Sequence, residues 1–257
     1  MSFTFYFGAA SGSARKALQM MNEPNVMISH ATANNTPWYG IESLFIDSGG
    51  YSLMQSNDGE HGPIGPYVDY LRRHEPELYA LRDYPCEPDL LDDLGRTVED
   101  HQQRTTEEAI RTLESVGDID SQPVTVIQGW TADDYLSHID TLEDHGIPLD
   151  TVGIGSVCRR NAEGDIRSVI AAVRDRLPDA QIHAFGVKTS LFTAFPETVN
   201  MLDSADSLAY EYRTPQMNPD GKTWKDACVA YWKMNRSINE AVRQAQKKTH
   251  RTLKEFE

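Results

Sequence analysis

The feature that most constrains the fold of this chain is an alternation of strand and helix that recurs eight times. Short segments that predict strands, seven of them rich in apolar residues, lie at residues 3–7, 26–30, 44–47, 78–83, 124–127, 151–156 and 182–187, and a short eighth strand is predicted around residues 204–206. Segments with helical spacing lie at residues 14–21, from 67, at 97–116, 135–142, 166–177 and 191–202, and from about 224 to the end. This alternation is typical of parallel α/β folds, because parallel neighbours are joined by a crossover helix.

Eight such units in 257 residues predict an α/β fold, a (β/α)8 TIM barrel in a single domain. The main rival is a doubly wound open sheet. That fold carries a Gly-rich dinucleotide fingerprint after the first strand, and Gly8-Ala9-Ala10-Ser11-Gly12 lacks its spacing. We assign residues 1–221 to the catalytic barrel and residues 222–257 to a basic helical extension packed on or beside it.

Charge and cysteine content narrow the class of protein. The net charge is −15, yet nine Lys/Arg face four Asp/Glu from Lys222 onward, which leaves 15 of the 24 basic and 35 of the 39 acidic residues elsewhere. The acidic body argues against non-specific, charge-driven nucleic-acid binding, whereas the tail is either a polyanion contact or a solvated terminal helix. Three scattered cysteines predict a reducing, cytoplasmic setting. The sequence shows no signal peptide and no apolar run near the roughly 20 residues of a membrane span.

Polar residues collect at the C-terminal ends of the predicted strands, where barrel enzymes place their active sites. These ends carry Asp47, Asp83, Gln128, residues 153–156 and Asp206. Three carboxylates and a carboxamide suit substitution at a sugar carbon, because one carboxylate can attack while another handles the leaving-group proton. The other polar groups can bind the edge of a flat heterocycle, and Tyr51 can cover its face. The alternative is a set of turn caps and loop salt bridges.

Four ordered blocks resemble the tRNA-guanine transglycosylase superfamily. They are Asp47-Ser48-Gly49-Gly50-Tyr51, Val126-Ile127-Gln128-Gly129, His183-Ala184-Phe185-Gly186 and Asp206-Ser207-Leu208-Ala209-Tyr210. The last two are similar to the archaeosine branch, and the compact length resembles the DNA 7-deazaguanine transglycosylases of viruses and bacterial genome islands. The blocks span residues 44 to 210. Because no added RNA-binding domain follows the barrel, DNA is favoured over tRNA as the partner.

The resemblance implies that a polynucleotide guanine is exchanged for a free 7-deazaguanine base without a cofactor. It implies that Asp206 attacks C1′ to form a covalent sugar–enzyme intermediate and that Asp47 is the general acid/base. It implies base-binding roles for Ser48, Gly49, Gly50, Tyr51, Asp83, Gln128, Gly129, Gly153 and Gly155. A viral protein acting in the host cytoplasm is one setting it implies.

The sequence departs from the superfamily in three places. The zinc motif Cys-x-Cys-x-x-Cys with a later His is absent, so we expect no metal site. Ser52 stands where the superfamily has Gln. The sixth strand reads Gly153-Ile154-Gly155 where the superfamily tends to have adjacent glycines.

Basic residues in two places are candidates for nucleic-acid contacts. Arg159 and Arg160 follow the sixth strand and could grip a phosphate with two parallel hydrogen bonds, with a surface salt bridge as the equal alternative. In the tail the candidates are Arg243, Lys247, Lys248 and Arg251. We predict that His30 is a hydrogen-bonded histidine at a strand end. The roles of Cys86 and Cys158 and the oligomeric state stay open.

Three other functions fit the same residues. One is tRNA-guanine transglycosylase activity. Another is a barrel glycoside or nucleoside hydrolase that uses Asp47 and Asp206. The last is a non-catalytic barrel that only binds nucleic acid.

Overall fold

Eight parallel strands form a closed barrel in the computed structural model of the chain, which describes residues 3–32, 35–56, 59–117, 119–160, 162–212 and 223–255. The strands are β1 Thr4–Gly8, β2 Asn25–Ser29, β3 Ser43–Asp47, β4 Leu78–Ala80, β5 Gln122–Ile127, β6 Thr151–Ile154, β7 Gln181–Ala184 and β8 Ser204–Ser207. Each strand pairs with the next along the chain, and β8 closes the barrel on β1, with Tyr6 opposite Asp206. The prediction of a (β/α)8 barrel is confirmed.

Helices connect the strands on the outside of the barrel. They are α1 Gly12–Met20, α2 Gly50–Ser56, α3 Gly65–His74, α4 Pro88–Leu94, α5 Val98–Val116, α6 Ala132–Asp144, α7 Glu163–Arg176, α8 Thr189–Ala194 and α9 Trp224–Glu255. The helix expected over residues 191–202 is wrong in extent, because Pro196 cannot continue α8 and starts a separate 3-10 helix, Pro196–Met201. The short helices α2 and α4 were not predicted from the sequence.

Local sequence signals fix the longer helices. Thr97 and Asp100 form a reciprocal capping box at the start of α5, and Thr131 and Asp134 form another at the start of α6. Each box satisfies backbone N–H groups that the first turn of a helix leaves unpaired.

Apolar residues fill two layers. The larger lies between the strands and the surrounding helices, and a smaller cluster inside the barrel includes Tyr6, Met27 and Phe45. Next to that cluster, the ring of His183 packs edge-on against Phe45 and Phe185, and the rings of Phe45 and Phe185 pack at a tilt. The barrel is therefore closed below its C-terminal mouth by aromatic rings.

Helix α9 completes the outer ring of helices between α1 and α8. Its Cys228 lies against Ala17 of α1, and its Tyr231 hydroxyl donates to Glu23, just before β2. Helix α9 therefore runs in the same direction as α1, away from the mouth. The proposed domain boundary at residues 221 and 222 lies outside the described residues.

Among the described residues, no helix is long and apolar enough to cross a membrane. Nor do those residues contain a group of three or more His, Cys, Asp or Glu side chains placed to hold a metal ion.

Candidate active site

A cavity of about 210 Å³ opens at the C-terminal mouth of the barrel. Asp47, Asp83 and Asp206, from the ends of β3, β4 and β8, all line it. The three carboxylates that were separate strand-end signals in the sequence are therefore neighbours in space. Their convergence distinguishes this mouth from a set of unrelated turn caps.

Asp47 is the carboxyl most strongly affected by this environment. Burial, followed by the nearby charges of Asp83 and Asp206, raises its pKa from 3.8 to about 7. Polar contacts with Ser29 and Gly49 act in the opposite direction and are weaker. A carboxyl with a pKa near neutrality can both give and take a proton at working pH.

Asp83 is held by hydrogen bonds on both of its oxygens. The Ser48 hydroxyl donates to Oδ1 at 2.9 Å, and Gln128 Nε2 lies 2.6 Å from Oδ2. Burial raises the pKa of Asp83 to about 6, while these two partners favour the charged form. The segment that carries Asp83 is fixed to α5, where the Thr105 hydroxyl accepts the Tyr84 N–H at 2.9 Å.

Gln128 is fixed along its backbone as well as its side chain. Its N–H donates to His138 Nδ1 at 2.9 Å, and its carbonyl accepts from Gln102 Nε2 at 2.8 Å. Burial lowers the pKa of His138 to about 4, so the ring is neutral and accepts this bond. The carboxamide is therefore placed on the cavity wall between Asp83 and Ser156.

Asp206 lies on the opposite side of the cavity and is oriented by two donors. The Gly186 N–H donates to Oδ1 at 2.6 Å, and His183 Nε2 lies 3.2 Å from the same oxygen. His183 Nδ1 is in turn 2.9 Å from the Ser204 hydroxyl. Because both donors engage Oδ1, the second oxygen stays available to the cavity.

Glycines line the cavity where a side chain would not fit. A Cβ on Gly50 would lie 2.8 Å from the Asp83 carbonyl oxygen, and one on Gly155 would lie 2.3 Å from Gln128 Nε2. Gly49 adopts a φ of +80°, which favours glycine, and its Cβ would meet Ala31 at 2.6 Å. These glycines let the segments of the cavity wall pack closely against Asp83, Gln128 and Ala31.

Six of the nine expected base-binding residues line the cavity: Gly49, Gly50, Tyr51, Asp83, Gln128 and Gly155. The Gly155 N–H, however, donates to the Ile127 carbonyl and so supports the strand rather than a ligand.

The other three lie behind the cavity wall. Ser48 is buried and supports Asp83. Gly129 packs against α6, with its Cβ position 2.8 Å from Asp134, and Gly153 lies beneath the ring of Phe185. In this structure these residues support the cavity wall, and their contact with a base stays a prediction.

The two adjacent arginines after β6 have different environments. Arg159 is half exposed at the rim, stacked 5.2 Å over the Tyr51 ring and 3.8 Å from Asp89. Arg160 is buried, donates from Nε to the Ser156 carbonyl at 2.9 Å and stacks on Trp130. Phosphate binding by Arg160 stays a prediction, and it would require the guanidinium to exchange these internal partners for the phosphate.

The tail residues lie far from this cavity. Tyr231 already meets Glu23 at the N-terminal end of β2, and α9 continues beyond it at about 1.5 Å per residue. The exposed Arg243 and Lys247 therefore lie toward the end of the barrel opposite the mouth. The side chains of Lys248 and Arg251 lie outside the described residues.

Glu87 was not singled out from the sequence, and the side chains of Ser156 and Cys158 were given no role. Glu87 is only 2% exposed and lines the cavity, and Ser156 links it to Gln128. Cys158 also lines the cavity, with its sulfur 3.6 Å from Glu87 Oε1. The signal that could have found Glu87 is its place four residues after Asp83, between two prolines that fix the turn. His30 lies outside the cavity lining, edge-on to Tyr67 and Tyr70.

The fold and site define a class of protein: a (β/α)8-barrel enzyme with converging carboxylates at its C-terminal mouth. The chain belongs to the DpdA family, deoxypurine in DNA protein A, whose family model matches residues 27–254. This family is tRNA-guanine transglycosylase-like, and membership supports DNA modification by exchange of guanine for a deazaguanine. A comparison with curated proteins found no match.

Proposed function

We propose that this chain replaces guanine in DNA with a free 7-deazaguanine base through a covalent Asp206–sugar intermediate. The observation that carries the proposal is that three carboxyl groups line one cavity and that each has a different environment. Asp206 is oriented by two donors, Asp47 has a pKa of about 7, and Asp83 is paired with Gln128. Each environment suits a different part of a double displacement.

In the first displacement, Asp206 forms a bond to C1′ of the target nucleotide. The C1′–N9 bond breaks at the same carbon, and guanine leaves with the bonding electron pair. Protonated Asp47 gives its proton to the departing base, so neither product is left with an unstable charge. The Gly186 N–H and His183 fix the attacking carboxylate, which reduces the freedom lost on reaching the transition state.

The second displacement reverses these roles. The N9–H of the incoming 7-deazaguanine gives its proton to ionised Asp47, and the nitrogen attacks C1′. The Asp206–C1′ ester bond breaks, and the carboxylate is restored. The two steps balance without a redox partner or a metal, because one base and one proton enter for each that leaves.

Asp83 and Gln128 would recognise the edge of the base. An ionised carboxylate accepts hydrogen bonds only, so Asp83 fits the N–H donors that guanine and 7-deazaguanine share. Tyr51 lines the same cavity and offers a ring face for stacking. A base inside duplex DNA cannot reach this recess, so the target nucleotide must turn out of the stack.

The test is an exchange assay with DNA that carries isotope-labelled guanine. The wild-type protein should release label only when a 7-deazaguanine base is added, and mass spectrometry should find that base in the DNA. Asp206→Asn should lose release by at least about a thousandfold, as expected for a missing nucleophile. Asp89→Asn is the matched control, since Asp89 is an exposed carboxylate at the rim.

Two outcomes would contradict the proposal. Release of guanine with water as the only acceptor would identify a hydrolase. Full exchange by a folded Asp206→Asn protein would remove Asp206 from the mechanism. Asp203 could not then take its place, because it pairs with Arg174 at 2.6 Å before β8, at the end of the barrel away from the mouth.

A further inference from the structure

The Ser156 hydroxyl has one proton but lies next to two side-chain acceptors, so a neighbouring carboxyl must carry the second proton that these contacts need. The Ser156 hydroxyl oxygen lies 2.7 Å from the Cys86 nitrogen, 2.6 Å from Gln128 Oε1 and 3.1 Å from Glu87 Oε2. The Cys86 N–H donates to this oxygen, which leaves a single hydroxyl proton for two acceptors. Two facing acceptors at these distances repel each other unless a proton lies between them.

Hydrogen bonds connect four side chains in series: Glu87, Ser156, Gln128 and Asp83. Only two placements of the protons give every donor and acceptor in this series a partner. In the first, Glu87 is protonated and donates to Ser156, Ser156 donates to Gln128 Oε1, and Gln128 Nε2 donates to ionised Asp83. In the second, the carboxamide is turned by half a rotation, so that protonated Asp83 donates to Gln128 Oε1. Gln128 Nε2 then donates to Ser156, and Ser156 donates to ionised Glu87. Each arrangement holds one proton on the two carboxyls together.

We propose that Glu87 is a positioning residue for base selection, which holds the shared proton and thereby keeps Asp83 ionised and Gln128 correctly turned. Only the first arrangement offers ionised Asp83 as an acceptor to the donor edge of guanine and 7-deazaguanine. In the second, the one proton of Asp83 is already donated to Gln128, so Asp83 offers the base only a neutral carboxyl oxygen, which is a weaker acceptor than a carboxylate. Glu87 therefore acts on specificity through Ser156 and Gln128 rather than by touching the base.

The surroundings of Glu87 favour the neutral form. Burial raises its pKa, and the charge of Asp83 raises it further. The other groups that face it are the thiols of Cys86 and Cys158 and the phenol of Tyr135, and burial raises the pKa of each. Asp83 is the charged group whose proximity raises the pKa of Glu87, and the Arg160 guanidinium nearby is bonded to the Ser156 carbonyl and the Tyr135 hydroxyl.

The backbone geometry of Ser156 indicates that the surrounding structure holds this residue in place between Glu87 and Gln128. Its φ is +52°, in the left-handed region that a residue with a Cβ rarely adopts. Strain of this kind persists where the surroundings fix the residue, and it is concentrated at functional sites. Here it directs the hydroxyl at three partners at once.

The kinetic part of the inference rests on the proposed base exchange, so the first measurement is independent of it. Infrared difference spectra of the base-free protein, wild type minus Glu87→Gln at neutral pH, should show the carbonyl band of a protonated carboxyl. If the difference shows a carboxylate band instead, Glu87 is ionised and the inference is overturned, whatever the reaction.

The second measurement is the affinity for free guanine against pH. Wild-type affinity should fall at alkaline pH, by up to about tenfold per pH unit once the shared proton is lost. Glu87→Gln should show a smaller fall, because its amide donates to Ser156 at every pH and the remaining pH dependence comes from Asp47 in the same cavity. The control is Glu23→Gln, another buried carboxyl with a raised pKa, on the far side of the barrel, which should keep the wild-type profile. Superimposable profiles of wild type and Glu87→Gln would overturn the inference.

Ser156→Gly provides a variant that relieves backbone strain while it breaks the linkage. Gln128 can then turn freely, so the preference for guanine over adenine should fall about five- to tenfold, the value of one hydrogen bond. An unchanged preference would contradict the role of Ser156. A wild-type protein that binds guanine but never exchanges it would refute the proposed function and leave this binding test intact.

Discussion

Replacement of Asp47 by asparagine should stabilise the protein above neutral pH while it removes the proposed acid/base. Burial, Asp83 and Asp206 together raise the pKa of Asp47 from 3.8 to about 7. The folded protein therefore disfavours the ionised form, whereas the unfolded chain ionises this group from about pH 4. Asparagine carries no charge, so Asp47→Asn escapes that penalty.

The sign and size of the change in unfolding free energy follow from the different numbers of protons that the folded and unfolded states bind at Asp47. Between pH 3.8 and about 7 the folded protein binds more protons at Asp47 than the unfolded chain does. Wild-type stability therefore falls as pH rises through this window, by about 1.4 kcal/mol per pH unit for an isolated group. From pH 5 to pH 7 this amounts to at most about 2.7 kcal/mol. Because Asp83 and Asp206 share the titration, we expect the advantage of Asp47→Asn to grow by about 1.5 to 2.5 kcal/mol.

The assay is urea unfolding of wild type and Asp47→Asn at pH 5, 7 and 8. The difference in unfolding free energy should increase from pH 5 to pH 7 and then level off. Asp69→Asn is the control, since Asp69 is exposed on α3 and should give a constant difference. A gain that is the same at all three pH values, or that shrinks as pH rises, would refute the assigned pKa.

Other parts of the structure give further expected outcomes. Dialysis against a strong chelator should change neither the thermal unfolding nor exchange, as followed by calorimetry and the labelled-guanine assay; loss of either would reveal a metal. Gly50→Ala should weaken guanine binding about tenfold, because its Cβ would press on Asp83, whereas Gly65→Ala, with open space around it, should not; titration calorimetry of both decides. Arg159→Gln should reduce the salt dependence of DNA affinity by about one unit of slope, and Arg243→Gln should leave it unchanged. Equal slopes for these two variants would contradict the placement of the DNA at the mouth.

The fold was predictable because its signal is repeated. Parallel strands are covered on both faces, so runs such as Leu44-Phe45-Ile46 read as continuously apolar. Because the strand–helix unit repeats eight times, an error in one predicted element does not change the predicted fold. The split of the helix near residue 195 was also visible in principle, since Pro196 cannot supply the N–H that a continuing helix needs.

The carboxylates of the site were predictable for a related reason. A charged group at the end of an apolar strand is unfavourable in a core, so Asp47 stands out from its neighbours. Asp206 lies in the polar segment Ser204–Ser207 and was identified through the resemblance of residues 206–210 to a family block. The barrel then brings strand ends together regardless of their distance in sequence. Which of these side chains become neighbours depends on the strand register and on the closure of the barrel, and both are properties of the folded chain.

Residues whose role depends on three-dimensional direction could not be assigned. Arg159 and Arg160 are identical in type and adjacent in sequence, yet one lies on the rim and the other is buried under Trp130. Gly153 and Gly155 are both in or next to β6, but only Gly155 reaches the cavity. Glu87 carries no periodic signal, because it lies in a turn whose path is fixed by hydrogen bonds to α5.

The covalent role of Asp206 is the central claim, and intact-protein mass spectrometry tests it most directly. The wild-type protein is mixed with a guanine-containing oligodeoxynucleotide, quenched in acid and weighed. The account predicts a species heavier by the oligodeoxynucleotide minus one guanine, attached at Asp206, which disappears when a 7-deazaguanine base is added before the quench. The same adduct in Asp206→Asn, or steady exchange by the wild type with no adduct at any time, would contradict it.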